Sequence, residues 1–350
     1  SAAPRSLRLN CYFCALISRM NTALEQIRKP IEADLARYRE MFVSTLQHSD
    51  EYLGSALAYV GKRQGKMMRP ILVLLSAALC RGVTDKTIQA AVALEMMHTA
   101  SLVHDDVVDD SPMRRGADAV HTQWTNKIAV LVGDYMLTRV MSILTNLRNV
   151  SILNIVSEMS AALTSGELLQ LHSGESMWIS EEQYNMVIEK KTACLFAACS
   201  EAGAVSTGAT SRQITALRTY GMHLGMCFQL KDDVLDYSDI EDIGKPTMND
   251  VRDGKATLPL LISLQRASRE EAAYIQEIAE ALAAKAPHID SFEVEQDIKS
   301  FILRHEGIRY AHQEMEKHRK KAIAALSVFP DNKYKQALIA LLDYAINRMR

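Results

Sequence analysis

The chain has 350 residues, 48% hydrophobic and 23% charged, with a formal net charge of −2. That is enough apolar material for a sizeable core, and without a basic excess it argues against nucleic acid as a partner. The longest apolar run, "PILVLLSAALC" at 70–80, is too short to span a bilayer, and nothing in the sequence excludes peripheral membrane contact.

Residues 1–19 contain Arg5, Arg8 and Arg19 and no acid, a weak likeness to an organelle transit peptide. With Met20 following, the preferred reading is an N-terminal extension, disordered or foreign to the native chain, ahead of one domain over 20–350. Six cysteines in a chain of this size suggest a reducing compartment, and the cytoplasm is expected. Cys11 and Cys14 form a CxxC with no second pair at metal-ligand spacing, so a bland terminal segment is favoured over a zinc site. Cys80, Cys194, Cys199 and Cys227 sit among apolar or small residues and are expected to be packing thiols.

Helical periodicity then dominates. Apolar residues recur three and four apart in 31–46, 88–110, 128–147 and 220–237. No stretch shows sustained strand-like alternation, and with 15 Gly and 8 Pro punctuation is sparse. Long helices joined by short loops are expected, a single-domain all-α bundle. Two loops stand out, "SPMRRGADA" at 111–119 and the turn-rich segment 238–259. A softer break near 283–290 separates a C-terminal group of helices.

The chemistry concentrates at two helix ends. Asp105, Asp106 and Asp109 are matched by Asp232, Asp233 and Asp236 at the same spacing. On a helix, positions i and i+4 share a face, so Asp105 projects with Asp109 and Asp232 with Asp236. Like charges so placed repel, and each cluster ends an apolar run where unpaired charge is costly. One such run would read as a solvated acidic face; two matching copies point to cation binding. Oxygen donors without a nearby thiol suit Mg²⁺, which keeps water and binds through one or two carboxylates plus substrate phosphates.

Basic residues recur beside these elements: Lys66 and Arg69 in "GKMMRP", Arg114 and Arg115 after the first cluster, Lys190 and Lys191 in "IEKKTA", and Lys245 and Lys255 in the later loop. Taken singly each is a surface charge; as a set they suit a phosphate. His98 lies two turns before Asp105 on the same face, either a core histidine or a ligand. His104–Asp105 also spells the pair used by HD-type metal phosphohydrolases, a rival reading.

In collinear order from Lys62 to Pro259, the chain carries both aspartate motifs, "GKxxRP", "RRG", "KT", "GxxFQxxDDxxD" from Gly225 to Asp236, "GKP" and "DGKATLP". This series resembles the trans-prenyl diphosphate synthases, long-chain type. The resemblance implies an isoprenoid-synthase-type helical bundle around a central catalytic cavity, usually a homodimer. It also implies joining of isopentenyl diphosphate to an allylic diphosphate with several Mg²⁺ ions. By the same resemblance, Asp105, Asp106, Asp109, Asp232, Asp233 and Asp236 take the metal-binding and catalytic roles with Lys191, and Asp105, Asp109 and Asp232 are the direct ligands. Arg114, Lys191, Thr192, Gln229, Lys245 and Lys255 match positions that hold the allylic diphosphate. Lys66, Arg69, His98 and Arg115 match those that hold isopentenyl diphosphate. Lys190 has no matching role and is expected at the surface, as is Lys231.

Short-product members carry a bulky aromatic one turn before the first motif. Ala100 and Ser101 stand there in this chain, so a product beyond twenty carbons is expected, with a short-chain farnesyl or geranylgeranyl synthase as the alternative. Leu94, Met96, Met97, Thr138 and Met141 are further candidates to line the tunnel, although for any one of them ordinary core packing is the favoured reading. A terpene cyclase would have a different second motif, and a non-catalytic subunit would have lost an aspartate. The HD reading leaves the second cluster and the lysines unexplained. Peripheral membrane contact would serve release of a long product.

Overall fold

A computed structural model describes residues 22–63, 65–114, 116–173, 177–238, 247–287 and 290–348. The expected N-terminal extension, Cys11, Cys14 and Met20 lie outside the described residues, as do Arg115 and Lys245.

Residues 22–28 are helical (α1) and lead through a 3-10 turn into α2 (Glu32–Thr45). There follow α3 (Glu51–Gly61), α4 (Met68–Cys80) and α5 (Asp85–Val108), then the two-residue strands β1 (Met113–Arg114) and β2 (Ala117–Asp118). Next come α6 (Val120–Gln123), α7 (Asn126–Leu147), α8 (Val150–Ser173) and α9 (Glu181–Ile188). A single π-helical turn, Glu189–Ala193, joins α9 to α10 (Cys194–Ser206). The remainder is α11 (Ser211–Asp236), α12 (Asn249–Arg252), α13 (Leu258–Arg266), α14 (Arg269–Ala283), α15 (Ser291–Arg304), α16 (Gly307–Ala325) and α17 (Lys333–Asn347). The all-α expectation is met, and the break near 283–290 separates α14 from α15.

Contacts group the chain into two compact units. The first takes residues up to 158, 198–218 and 326–340; the second takes 159–197, 219–325 and 341–350.

In the first unit α4 is a core helix. Ile71 to Leu75 are fully buried, because its sequence is apolar on every side. Helix α5 packs on α2, α4 and α7. It starts at a capping box in which Thr84 and Thr87 exchange hydrogen bonds, which satisfies two of the backbone donors that a helix start leaves free. Gly133 of α7 marks the closest approach to α5: a Cβ there would lie 2.2 Å from His104 Nε2. Helix α7 is long and apolar enough to cross a membrane by length and composition. One side of it packs on α5, while Val130, Leu131 and Met141 are exposed.

The second unit has its own core, from Tyr184 and Ile188 of α9 through Met226, Leu230 and Val234 of α11 to Ile298, Phe301 and Met315. Helix α9 also begins at a capping box, Ser180 with Gln183. Gly225 of α11 is required by a close crossing, since a Cβ would stand 2.5 Å from Ala193 Cα. That contact sets the π turn against the stretch of α11 that precedes the second aspartate cluster.

The cysteines expected as packing thiols are free. Cys199 and Cys227 are buried, and burial pushes the Cys194 and Cys227 thiols up to about 12.

Candidate active site

In the first unit, Asp105 and Asp106 occupy the last turn of α5 and Asp109 is its C-cap, its N–H donating to the Asp105 carbonyl at 2.8 Å. Asp110 then takes a left-handed φ of 48°, and the Ser111 N–H closes back on the Asp106 carbonyl at 2.9 Å. Carboxylates at this end of a helix meet the negative pole of the helix dipole and are unfavourable unless a cation answers them.

One answer is internal. Asp106 is buried, and Arg114 Nε donates to its Oδ1 at 2.7 Å while Nη2 donates to the same oxygen. The chain returns Arg114 by a tight antiparallel turn in which Met113 pairs with Asp118 and Arg114 with Ala117. The segment was expected as a loop; Gly116, at φ 77°, permits the reversal that makes it a short ribbon. Asp105 is half-buried and Asp109 exposed.

Lys66, exposed, and Arg69, half-buried, flank the start of α4, where Met67 adopts a left-handed φ of 54°. The Lys66 carbonyl accepts from Arg28 Nη2 at 2.7 Å. His98 is half-buried on α5, and Ser101 Oγ donates to its carbonyl at 2.9 Å. Ala100 is fully buried. Of the other tunnel candidates, Leu94 and Met96 are buried, whereas Met141 and Thr138 are exposed on α7 and do not line an interior wall in this chain. His104 Nε2 lies 3.1 Å from the Val130 carbonyl and 3.6 Å from Asp134 Oδ1, on the α7 side.

In the second unit, Asp233 is only 2% exposed. It accepts from Gln229 Nε2 at 2.8 Å and from the Tyr184 hydroxyl, and Gln229 Oε1 in turn accepts from Thr192 Oγ1 at 2.8 Å. Thr192, Gln229 and Asp233 thus form one hydrogen-bonded line across the π turn and α11. Burial pushes the Asp233 carboxyl up to about 7, against the opposing pull of the Tyr184 and Gln229 hydrogen bonds. Asp236 accepts the backbone N–H groups of Asn249 and Asp250, each at 3.0 Å, and burial raises its pKa. Asp250 is raised well above the usual range by burial first, then by Asp233 and Asp236, with Lys255 opposing. The Lys255 ammonium is 3.9 Å from Asp253.

Lys191 sits in the π turn, its Nζ 2.8 Å from Glu167 Oε2 and 3.0 Å from Gln170 Oε1. Such turns insert an extra residue into a helix and re-aim its side chains, a device common at functional sites. Lys190, expected at the surface, is half-buried and reaches Ser165 Oγ at 3.3 Å. Lys231, expected in solvent, is half-buried too, and its pKa is lowered by burial first and then by Arg348. Asp232 keeps 42% of its side chain exposed and offers Oδ1 to Arg348 Nη2 at 2.7 Å.

Spacing did not reveal Tyr184, Glu167, Gln170, Asp250 or Arg348. Asp250 could have been flagged as a further acid in the same loop as Lys255. The others carry no signal, because they reach the site from α8, α9 and the end of α17, far from the motifs in sequence.

Helical units that end two of their helices in aspartate clusters, with Arg114 on one and a hydrogen-bonded lysine and glutamine near the other, have the architecture of an isoprenoid synthase. The profile of the family described as polyprenyl synthetase matches residues 50–293. The octaprenyl diphosphate synthase of Haemophilus influenzae is 34% identical over 327 residues, 93% of this chain and 97% of that one. A solved polyprenyl synthase of Caulobacter crescentus, complexed with calcium and isoprenyl diphosphate, is 34% identical with a TM-score of 0.85, covering 93% and 98%. A solved geranylgeranyl pyrophosphate synthase of Bacteroides thetaiotaomicron is 39% identical with a TM-score of 0.79, covering 93% and 100%. The chain belongs to the polyprenyl synthetase family, and it is a prenyltransferase of isoprenoid biosynthesis.

Proposed function

We propose that this enzyme condenses isopentenyl diphosphate with farnesyl or geranylgeranyl diphosphate, releases diphosphate, and builds a long all-trans polyprenyl diphosphate with Mg²⁺ as cofactor. The observation that carries the reading is a division within each motif. Asp106 and Asp233 are buried and commit oxygens to protein donors inside the fold, whereas Asp105, Asp109, Asp232 and Asp236 keep some exposure. The residues assigned as direct ligands, Asp105, Asp109 and Asp232, all fall on the accessible side of that division.

The donor set fits a hard cation. It offers carboxylate oxygens. That suits an ion held by one or two carboxylates, with water and diphosphate completing its shell. Bound there, Mg²⁺ would neutralise charge that develops on a departing diphosphate. The protein's own contribution is to supply fixed cationic and hydrogen-bonding donors, which cost no reorganisation when the C–O bond breaks. Arg114, Lys191, Thr192, Gln229, Lys245 and Lys255 serve the allylic diphosphate. Lys66, Arg69, His98 and Arg115 hold isopentenyl diphosphate so that its double bond meets the allylic carbon. The departing diphosphate would serve as the base for the proton lost afterwards. The wholly buried Ala100 supports a reaction path kept from water, which would otherwise quench the allylic cation.

Two further parts belong to the same reading. The small side chains of Ala100 and Ser101 support a product beyond twenty carbons, as does the octaprenyl synthase relative; the geranylgeranyl synthase relative favours the shorter alternative. The exposed apolar residues Val130, Leu131 and Met141 of α7 support a homodimer formed through that face.

Incubation with farnesyl diphosphate, isopentenyl diphosphate and Mg²⁺ tests the class: a chain-extended product is expected. Orthophosphate release from nucleotides without extension would return the HD-type reading. Ala100→Phe should shorten the product while turnover persists, read by chromatography of the dephosphorylated chains; an unchanged spectrum would remove the length argument alone.

A further inference from the structure

The last described residue of the chain, Arg348, is only 6% exposed. Its guanidinium lies 3.7 Å from the centroid of the Phe228 ring, and Nη2 donates to the Phe228 carbonyl at 2.9 Å. Its Nε donates to the Ala345 carbonyl at 3.3 Å. These three anchors owe nothing to Asp232, and together they place the guanidinium by packing, by cation–π attraction and by hydrogen bonding. Nη2 then meets Asp232 Oδ1 at 2.7 Å. One carboxylate oxygen is thereby fixed, while the side chain keeps 42% of its surface exposed.

We propose that Arg348 is a positioning residue for the second aspartate motif. Through it the C-terminal end of α17 holds Asp232 in the rotamer that presents its other oxygen for a divalent cation. The inference rests on the reading of Asp232 as a metal ligand. A carboxylate ligand left without an outer partner must be ordered by the metal itself, and loss of such partners typically weakens metal binding about 10–100-fold. A guanidinium that merely plugged the site would need to swing away on metal loading. The ring contact and the two carbonyl contacts argue for a fixture.

The test is titration of Mn²⁺ into the full chain in the presence of inorganic diphosphate, followed calorimetrically, as a double-mutant cycle over Arg348→Ala and Asp232→Asn. Arg348→Ala should weaken Mn²⁺–diphosphate binding about 10-fold in the native background and add nothing in the Asp232→Asn background. Should Arg348→Ala fail to fold, as judged by circular dichroism, Arg348→Lys keeps the charge but not the planar fork and should show the same pattern, smaller. An equal loss in both backgrounds would make the role merely structural and overturn the inference. Tighter binding on removal of Arg348 would overturn it too, by showing a repelling charge. If Asp232→Asn alone leaves Mn²⁺ binding unchanged, it is the reading of Asp232 as a ligand that fails.

Discussion

The aspartate motif that ends α5 and the one that ends α11 share a spacing and differ in what stabilises them. At the first, the buried carboxylate of Asp106 is answered by a full positive charge, Arg114, whose own side chain is 38% exposed. At the second, Asp233 is enclosed and answered by neutral donors, Tyr184 and Gln229, and burial pushes its carboxyl up to about 7. Asp236 is answered by two backbone N–H groups. The buried aspartate of the same five-residue pattern is thus stabilised by an ion pair near solvent in one place and by neutral hydrogen-bond donors inside the core in the other. The difference follows from the surroundings. A short ribbon at the rim delivers an arginine to Asp106, whereas in the second unit the buried arginine, Arg348, goes to Asp232 and Asp233 is left to neutral donors.

The largest test asks whether the motifs nevertheless do equal work. Asp105→Ala and Asp232→Ala should each cost about 10³-fold or more in kcat, since several kcal/mol of charge stabilisation is at stake. Steady-state assay with farnesyl and isopentenyl diphosphates measures it. Near-normal turnover in one of the two would show that only the other motif handles metal.

A smaller effect separates the two kinds of support. Arg114→Gln and Tyr184→Phe should each destabilise the metal-free protein, by about 1.5–3 kcal/mol for a hydrogen bond to a charged group, less at Arg114 for its exposure. The Arg114→Gln loss should shrink as salt is raised from low ionic strength to about 1 M, because screening already weakens a half-exposed pair. The Tyr184→Phe loss should not change. Denaturant melts at both salt levels decide it, and equal salt dependence would erase the contrast.

The smallest effect concerns the middle of α11. His223 and His318 face each other, Nδ1 to Nδ1 at 2.9 Å, half-buried. Burial lowers both, with Lys321 adding to each; His318 falls to about 4, with His223 itself contributing. A histidine whose folded pKa lies below its unfolded value near 6.5 binds its proton more readily when unfolded. The contribution is therefore complete above about pH 6.5 and is lost as pH falls toward 4. Melting temperature should decline over that window, and His318→Gln should flatten the decline. A parallel decline in the variant would assign acid sensitivity elsewhere.

Much of this was legible in residue order. The periodicity of 88–110 and 220–237 predicts α5 and α11, because burying one stripe of a helix imposes a 3.6-residue repeat. The paired aspartates were visible for a related reason: carboxylates at the end of an apolar run are anomalous without a cation. Spacing within one element survives folding, so Asp105 with Asp109 and Asp232 with Asp236 could be paired in advance. Lys190 and Lys231 were misplaced because charge alone says nothing about which side of a helix a neighbour covers. Thr138 and Met141 were offered as tunnel residues for their place on the helix that follows the first motif, and α7 leaves both exposed.

By itself, then, the amino-acid order determined the helical class, the two acidic helix ends and the run of motifs between Lys62 and Pro259, all of which depend on local spacing. Only the tertiary structure decided that Arg114 answers Asp106, that Tyr184 and Gln229 enclose Asp233, and that Arg348 reaches Asp232 from 116 positions away. Those choices depend on which helices pack together, and packing joins residues that no periodicity along the chain relates.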